Sequence, residues 1–167
     1  VGHYAIQMAK LLGAAQVIAT VSSAEKAAHA RAAGADLVLN YREEDVAARV
    51  ADVTGGRGVD RVVEVDLAAN AALLPKVVAR DGLCVCYGSG KAEMSLAFGP
   101  MILSGAAIRF FIVYELSTEA RAQGVSQLGQ WLEAGRLQHA VGAVLPLDRI
   151  AEAQELVERG AVMGNVV

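Results

Sequence analysis

Three stretches of this 167-residue chain combine residue types and spacings that suit a phosphate- and hydroxyl-bearing ligand. The first is "VGHYAIQMAK", where Gly2 stands directly before a run with helical apolar spacing, so that unpaired N–H groups of a helix start lie next to a residue without a side chain. The second is "VSSAEK": Ser22 and Ser23 follow a strand-like stretch and Lys26 comes one helical turn later. No carboxylate occurs from Gln16 to Ala24, the place where an NAD site usually carries Asp or Glu for the adenosine ribose. Small hydroxyls beside a cation instead leave room and charge for a 2′-phosphate. A lysine in the first helical turn is disfavoured by the helix dipole by roughly 0.3–1 kcal/mol, a cost that a bound phosphate offsets. The plainer alternative is a capping box of Ser22 with Glu25 and a solvated Lys26. The third stretch is "YGSG": Gly88 and Gly90 allow close backbone approach and Ser89 offers a hydrogen bond, although loops with two glycines also occur without a ligand.

Single residues at other strand ends extend the set. Tyr41 in "NYREED" suits stacking on, or hydrogen bonding to, an adenosine, or else half-buried packing. Asn70, after "VVEVDLAA", reads as a cofactor contact or as a helix cap. Glu64 and Asp66 alternate at the same strand end and read as caps or solvated groups. No nucleophile and base pair assembles, and no catalytic residue is assigned.

Positioning these residues requires a repeated βα alternation. "QVIATV", "DLVLNY", "VDRVVEV", "LCVCYG" and "AIRFFIVYEL" read as strands. "SAEKAAHARAAG", "EEDVAARVADVTGG", "AANAALLPKVVARDG" and "TEARAQGVSQLGQWLEAG" read as helices, and the rhythm loosens only through "KAEMSLAFGPMILSG". Gly34, Gly55, Gly82, Gly135 and Gly160 each follow a helical run, as expected of glycine at a helix end. "LPLDRIAEAQELVERGAVMGNVV" adds a last helix and a short strand. The expected architecture is α/β, a doubly wound parallel sheet in which ligands lie beyond the carboxyl ends of the strands.

Composition agrees with a buried sheet: 54% of residues are hydrophobic and 20% charged. The formal charge of −3 and the lack of a basic stretch argue against a nucleic-acid partner. No apolar run reaches bilayer length, and the start of the chain lacks a signal-peptide pattern, so no membrane partner and a cytoplasmic location are expected. Cys84 and Cys86 fall on one face of a strand, and His3, His29 and His139 are scattered, so no metal site is expected within the chain.

"VGHYAIQMAKLLGA", "GADLVLNYREEDV", "TGGRGVDRVVEV", "GLCVCYGSG" and "LPLDRIAEAQELVERG", in this order, resemble the zeta-crystallin-like NADPH:quinone oxidoreductases. These form the zinc-independent branch of the medium-chain dehydrogenase/reductase superfamily, and the resemblance runs along essentially the whole chain. It implies a Rossmann-like NAD(P)-binding domain whose first strand and most of the glycine-rich turn, with an N-terminal catalytic domain, precede "VG". It further implies a division into a dinucleotide-binding part, 1–145, and a helix and strand, 146–167, that return to the catalytic domain. A central strand missing from the sheet would leave backbone groups unpaired on both neighbours.

By the same resemblance, Gly2 and His3 would lie at the pyrophosphate of NADP(H), and Ser22, Ser23, Lys26 and Tyr41 around the 2′-phosphate. Asn70, Tyr87, Gly88, Ser89 and Gly90 would lie along the cofactor, with Ile112, Val113 and Tyr114 at its nicotinamide end. The implied activity is metal-independent hydride transfer from NADPH to a quinone or related electrophilic carbonyl, and the isolated chain is expected to be inactive. A homodimer through an edge strand at Arg109–Tyr114 is also implied, with an interior strand as the alternative reading of the same apolar run. Rival functions are a zinc-dependent alcohol dehydrogenase of the same superfamily and a non-catalytic NADP(H)-binding module.

Overall fold

The computed structural model describes residues 1–160 and 162–167. By its contacts the chain divides into two compact units, one formed by Val1–Val38 with Leu128–Val167 and the other by Leu39–Gln127.

In the first unit, α1 (Gly2–Leu11) is followed by β1 (Ile18–Val21), α2 (Ala24–Ala32) and the start of β2 (Leu37–Asn40). Gly13, with φ of +90°, turns the chain after α1. The helix faces that meet β1 and β2 are built from small residues: Ala27, Ala30, Ala33 and Ala35 pack with Ile6, Val17, Val21 and Val38 into one core. Asp36 ties this arrangement together. Its carboxylate accepts from Lys10 Nζ at 2.7 Å and from the Val17 backbone N–H at 2.6 Å, while its own N–H donates to Val17 O. The Lys10 hydrogen bond, with the Val17 N–H second, holds the Asp36 carboxyl below its ordinary range. The later part of this unit carries the end of α7 (Thr118–Glu133), then β6 (Val141–Ala143), α8 (Ile150–Glu158) and β7 (Asn165–Val166), with β6 and β7 parallel.

The second unit contains α3 (Val46–Thr54), β3 (Val59–Glu64), α4 (Leu67–Asn70), α5 (Leu74–Val77), β4 (Val78–Cys86), α6 (Phe98–Ser104) and β5 (Ala107–Phe110). Its three-stranded sheet has the order β3-β4-β5, with both pairings parallel. Leu67, Leu74, Val78, Cys84 and Cys86 form its core, and the two cysteines are free and share a face, as alternation along a strand requires. The expected parallel pairing is present in the β3-β4-β5 and β6-β7 ladders, and β1-β2 forms a separate two-stranded ladder.

Several boundaries differ from the sequence expectation for identifiable reasons. "AANAALLPKVVARDG" is not one helix but two short ones, because Pro75 has no N–H to continue the hydrogen-bond ladder and instead sits in the first turn of α5. β4 already begins at Val78, so Gly82 is a strand residue and not a helix end. There an added Cβ would meet Val78 Cγ2 at 2.7 Å and Ala79 O at 2.9 Å, so Gly82 serves close packing, and the left-handed residue of the turn is Asp81, with φ of +58°. α6 forms in the stretch where the alternation loosens, and β6 was not expected. The strand read in "AIRFFIVYEL" ends at Phe110; Val113–Glu115 form a 3₁₀ turn, so only Arg109 and Phe110 of the Arg109–Tyr114 segment belong to β5. β5 is nevertheless an edge strand of its sheet, not an interior one.

Candidate functional site

In the first unit, Gly2 opens α1 with free space where a Cβ would stand. His3, next to it, is engaged by the protein: its Nε2 lies 2.8 Å from Gln138 O. A carbonyl only accepts, so Nε2 carries the hydrogen and Nδ1 is left as an acceptor. That Nδ1 is buried and has no hydrogen-bond partner among the described residues. The ring stacks on His29 with centroids 4.6 Å apart, and Tyr4 Oη lies 2.9 Å from His139 Nδ1, so the three scattered histidines gather at one end of α1. Gln7 secures the same segment, donating to Gln138 O and accepting from Gln138 N. Burial, then the neighbouring His3 and the Val1 α-amino group, lower the pKa of His29.

Ser22, Ser23 and Lys26 are brought together at the start of α2. The cap is Ser23, whose Oγ accepts from the Lys26 backbone N–H at 3.3 Å, so the helix starts with a single N-cap bond in place of the Ser22–Glu25 capping box. That frees the Ser22 hydroxyl, which accepts from Lys26 Nζ at 3.0 Å. Among the described residues Lys26 has no carboxylate partner, and a cation and two hydroxyls cluster at a strand end and a helix N-terminus.

In the second unit, the carboxyl end of β3 and the loop after β4 are built around Glu64. One carboxylate oxygen accepts from the backbone N–H groups of Val65 and Asp66 at 2.8 and 2.7 Å, and the other accepts from Asn70 Nδ2 at 3.0 Å. Asp66 accepts from the Gly90 N–H at 2.8 Å, which pins the glycine loop to β3. An added Cβ at Gly88 would stand 2.5 Å from Val65 O, so only glycine lets the loop lie this close. Ser89 Oγ accepts from the Lys91 N–H, and the Tyr87 ring lies against Phe111 with centroids 5.8 Å apart. Burial, with the Glu64 charge second and Cys86 third, pushes the Cys84 thiol up to about 11 and raises the Tyr87 phenol by the same causes in the same order.

Ile112, Val113 and Tyr114 follow directly and are exposed, their backbone held by Arg121 Nη2 donating to Val113 O and Tyr114 O. Tyr41 is exposed on the turn after β2 and makes no hydrogen bond or ring contact among the described residues. The organising role of Glu64 and Asp66 was missed by sequence reading. Its only signal was their alternation at a strand end, six and four residues before Asn70.

Residues 1–130 match the family described as zinc-binding dehydrogenase. The chain belongs to that family. Quinone oxidoreductases and alcohol dehydrogenases both occur among the similar proteins. A 2-haloacrylate reductase from Burkholderia sp. is 30% identical over 99% of the chain and 51% of its own length. A quinone oxidoreductase from Salmonella typhimurium is 43% identical over 57% of the chain and 29% of its own length. A mycobacterial protein solved with NADPH bound is 27% identical over 99% of this chain and 53% of its own, with a TM-score of 0.83. The chain therefore spans about half the length of the relatives it matches end to end. Its α/β fold with parallel strands corresponds to the Rossmann-like NAD(P)-binding domain of such structures.

The family's name implies zinc, but the donors described here do not fit that ion. Among the described residues no three His, Cys, Asp or Glu side chains converge. The two cysteines are buried in the core of the second unit, and Cys86 Sγ donates to Gly88 O. A dinucleotide fits better. Lys26 with Ser22 presents a cation lacking a carboxylate partner among the described residues, and the glycine loop is held in place by Asp66 and by close packing on Val65. Among the described residues no helix is long and apolar enough to cross a membrane.

Proposed function

We propose that this chain is the cofactor-binding part of an oxidoreductase that transfers hydride from NADPH to a quinone or related electrophilic carbonyl, without a metal. The observation that carries the NADP(H) reading is the Ser22–Lys26 pair, at a strand end free of carboxylates. The quinone reading draws its support from the quinone oxidoreductases among the relatives.

When bound, the cofactor would supply the hydride; the protein supplies position and exclusion of water. Ser22, Ser23 and Lys26 would hold the 2′-phosphate with Tyr41 against the adenosine, and Gly2 with His3 would meet the pyrophosphate. Since His3 Nε2 is committed to Gln138, the backbone at Gly2 and His3 is the part available to an anion. Asn70, Tyr87, Gly88, Ser89 and Gly90 would line the rest of the cofactor, and Ile112, Val113 and Tyr114 its nicotinamide end. We also propose a homodimer through the free edge of β5.

A second reading, an NAD-dependent alcohol dehydrogenase, is favoured by relatives and solved structures of that description. Calorimetric titration of the chain with NADPH and NADH separates the two. Preference for NADPH is expected, and Lys26→Ala should weaken NADPH about tenfold, in line with the loss of a charged hydrogen bond, while leaving NADH unchanged. Equal loss for both cofactors, or NADH bound more tightly by the unaltered chain, overturns the NADP(H) reading.

A further inference from the structure

We propose that Glu64 is a positioning residue that fixes the side-chain amide of Asn70, so that Asn70 offers a carbonyl acceptor, and not an N–H donor, to a bound molecule. The inference rests on the cofactor reading above and narrows it: the group that Asn70 recognises must be a hydrogen-bond donor, such as a ribose hydroxyl or a carboxamide NH₂.

The argument is one of donor and acceptor count. An ionised carboxylate only accepts. The oxygen of Glu64 facing the chain already takes two backbone N–H groups, from Val65 and Asp66. The remaining oxygen stands 3.0 Å from the end of Asn70, and that contact is favourable only if Asn70 turns its NH₂ inward. Asn70 Oδ1 is then the end left over, and it has no hydrogen-bond partner among the described residues. Both residues are half-buried, so the orientation is held where solvent competes only in part.

Glu64→Gln tests this because it changes polarity with almost no change in shape. Its Oε1 can still accept the two backbone N–H groups, but its NH₂ now meets Asn70 and favours the inverted amide. In the unaltered chain, nitrogen–proton NMR should show the Asn70 NH₂ pair, assigned by its disappearance in Asn70→Asp, with one proton shifted and protected by the carboxylate. In Glu64→Gln that signature should be lost, and NADPH should bind five- to tenfold more weakly, the scale of one hydrogen bond. Asn70→Ala should show a similar loss, and the Glu64→Gln, Asn70→Ala double variant should be no weaker than Asn70→Ala alone. Glu64→Asp keeps the charge but withdraws it by one methylene. It should behave as Glu64→Gln does, whereas a purely electrostatic role would leave it like the unaltered chain.

Unchanged Asn70 resonances in Glu64→Gln, or additive losses in the double variant, overturn the proposal while NADPH binding by the unaltered chain keeps the cofactor reading intact. If the unaltered chain binds neither NADPH nor NADH, the cofactor reading falls and takes the ligand half of the proposal with it. The NMR comparison then still decides whether Glu64 sets the amide.

Discussion

Cys84 has no exposed surface, and its thiol is pushed up to about 11, chiefly by burial and secondarily by Glu64. Only the thiolate alkylates, so at pH 8 about one molecule in a thousand is in the reactive form, even before access is considered. Iodoacetamide at that pH should leave Cys84 unlabelled in the folded chain and label it fully in denaturant, as read by peptide mass; rapid labelling of the folded chain would contradict this burial. At this scale the sequence was informative where residue type alone decides. Ser22, Ser23 and Lys26 could be singled out because a hydroxyl and an amine suit a phosphate whatever their rotamers, and the structure does place Lys26 Nζ on Ser22 Oγ. Glu64 was illegible for the opposite reason. Its role depends on which three N–H groups reach its two oxygens, and nothing in "VVEVDLAAN" distinguishes that arrangement from a solvated carboxylate.

Among the elements, α3 was readable as a helix ending at Gly55 because its signals are local, although the run read as helical opens at Glu43, three residues before Val46. Asp45 caps it by accepting from the Ala48 N–H, and Gly55 ends it at φ +59°. Asp45→Ala should cost about 1 kcal/mol in urea unfolding. Gly58→Ala should cost more, beyond the 1–3 kcal/mol range of a strained backbone position. Its φ is +80°, and the new Cβ would stand 2.6 Å from Val77 O and 2.9 Å from Ala79 N. If Gly58→Ala is no more damaging than Asp45→Ala, the junction of β3 with the α5–β4 corner is looser than described. The elements that escaped the sequence reading are those set by tertiary context. α4 and α5 are four residues each, too short to show a period. β6 has three residues around Gly142 and becomes a strand only by pairing with β7.

For the molecule as a whole, the proposed homodimer has a direct test. β5 is short and at the edge of its sheet, and Phe110 is 60% exposed on it, the kind of edge that pairs with another chain unless it is covered. Light scattering on the eluting chain should give about twice 17.4 kDa, and Phe110→Lys should return it to the single-chain mass. A single-chain mass for the unaltered protein would reject the dimer. Fold class was legible at this scale because βα alternation recurs along most of the chain, loosening only through 91–105, while the grouping into two units was not, since it depends on contacts between distant segments. That grouping also imposes an order in time. Leu39–Gln127 is one uninterrupted stretch whose partners within its own unit are all present once Gln127 leaves the ribosome, whereas Val1–Val38 must wait for Leu128–Val167 to be made. Until then Gln7 has no Gln138 to bind, so Val1–Val38 depends on a segment that is made later.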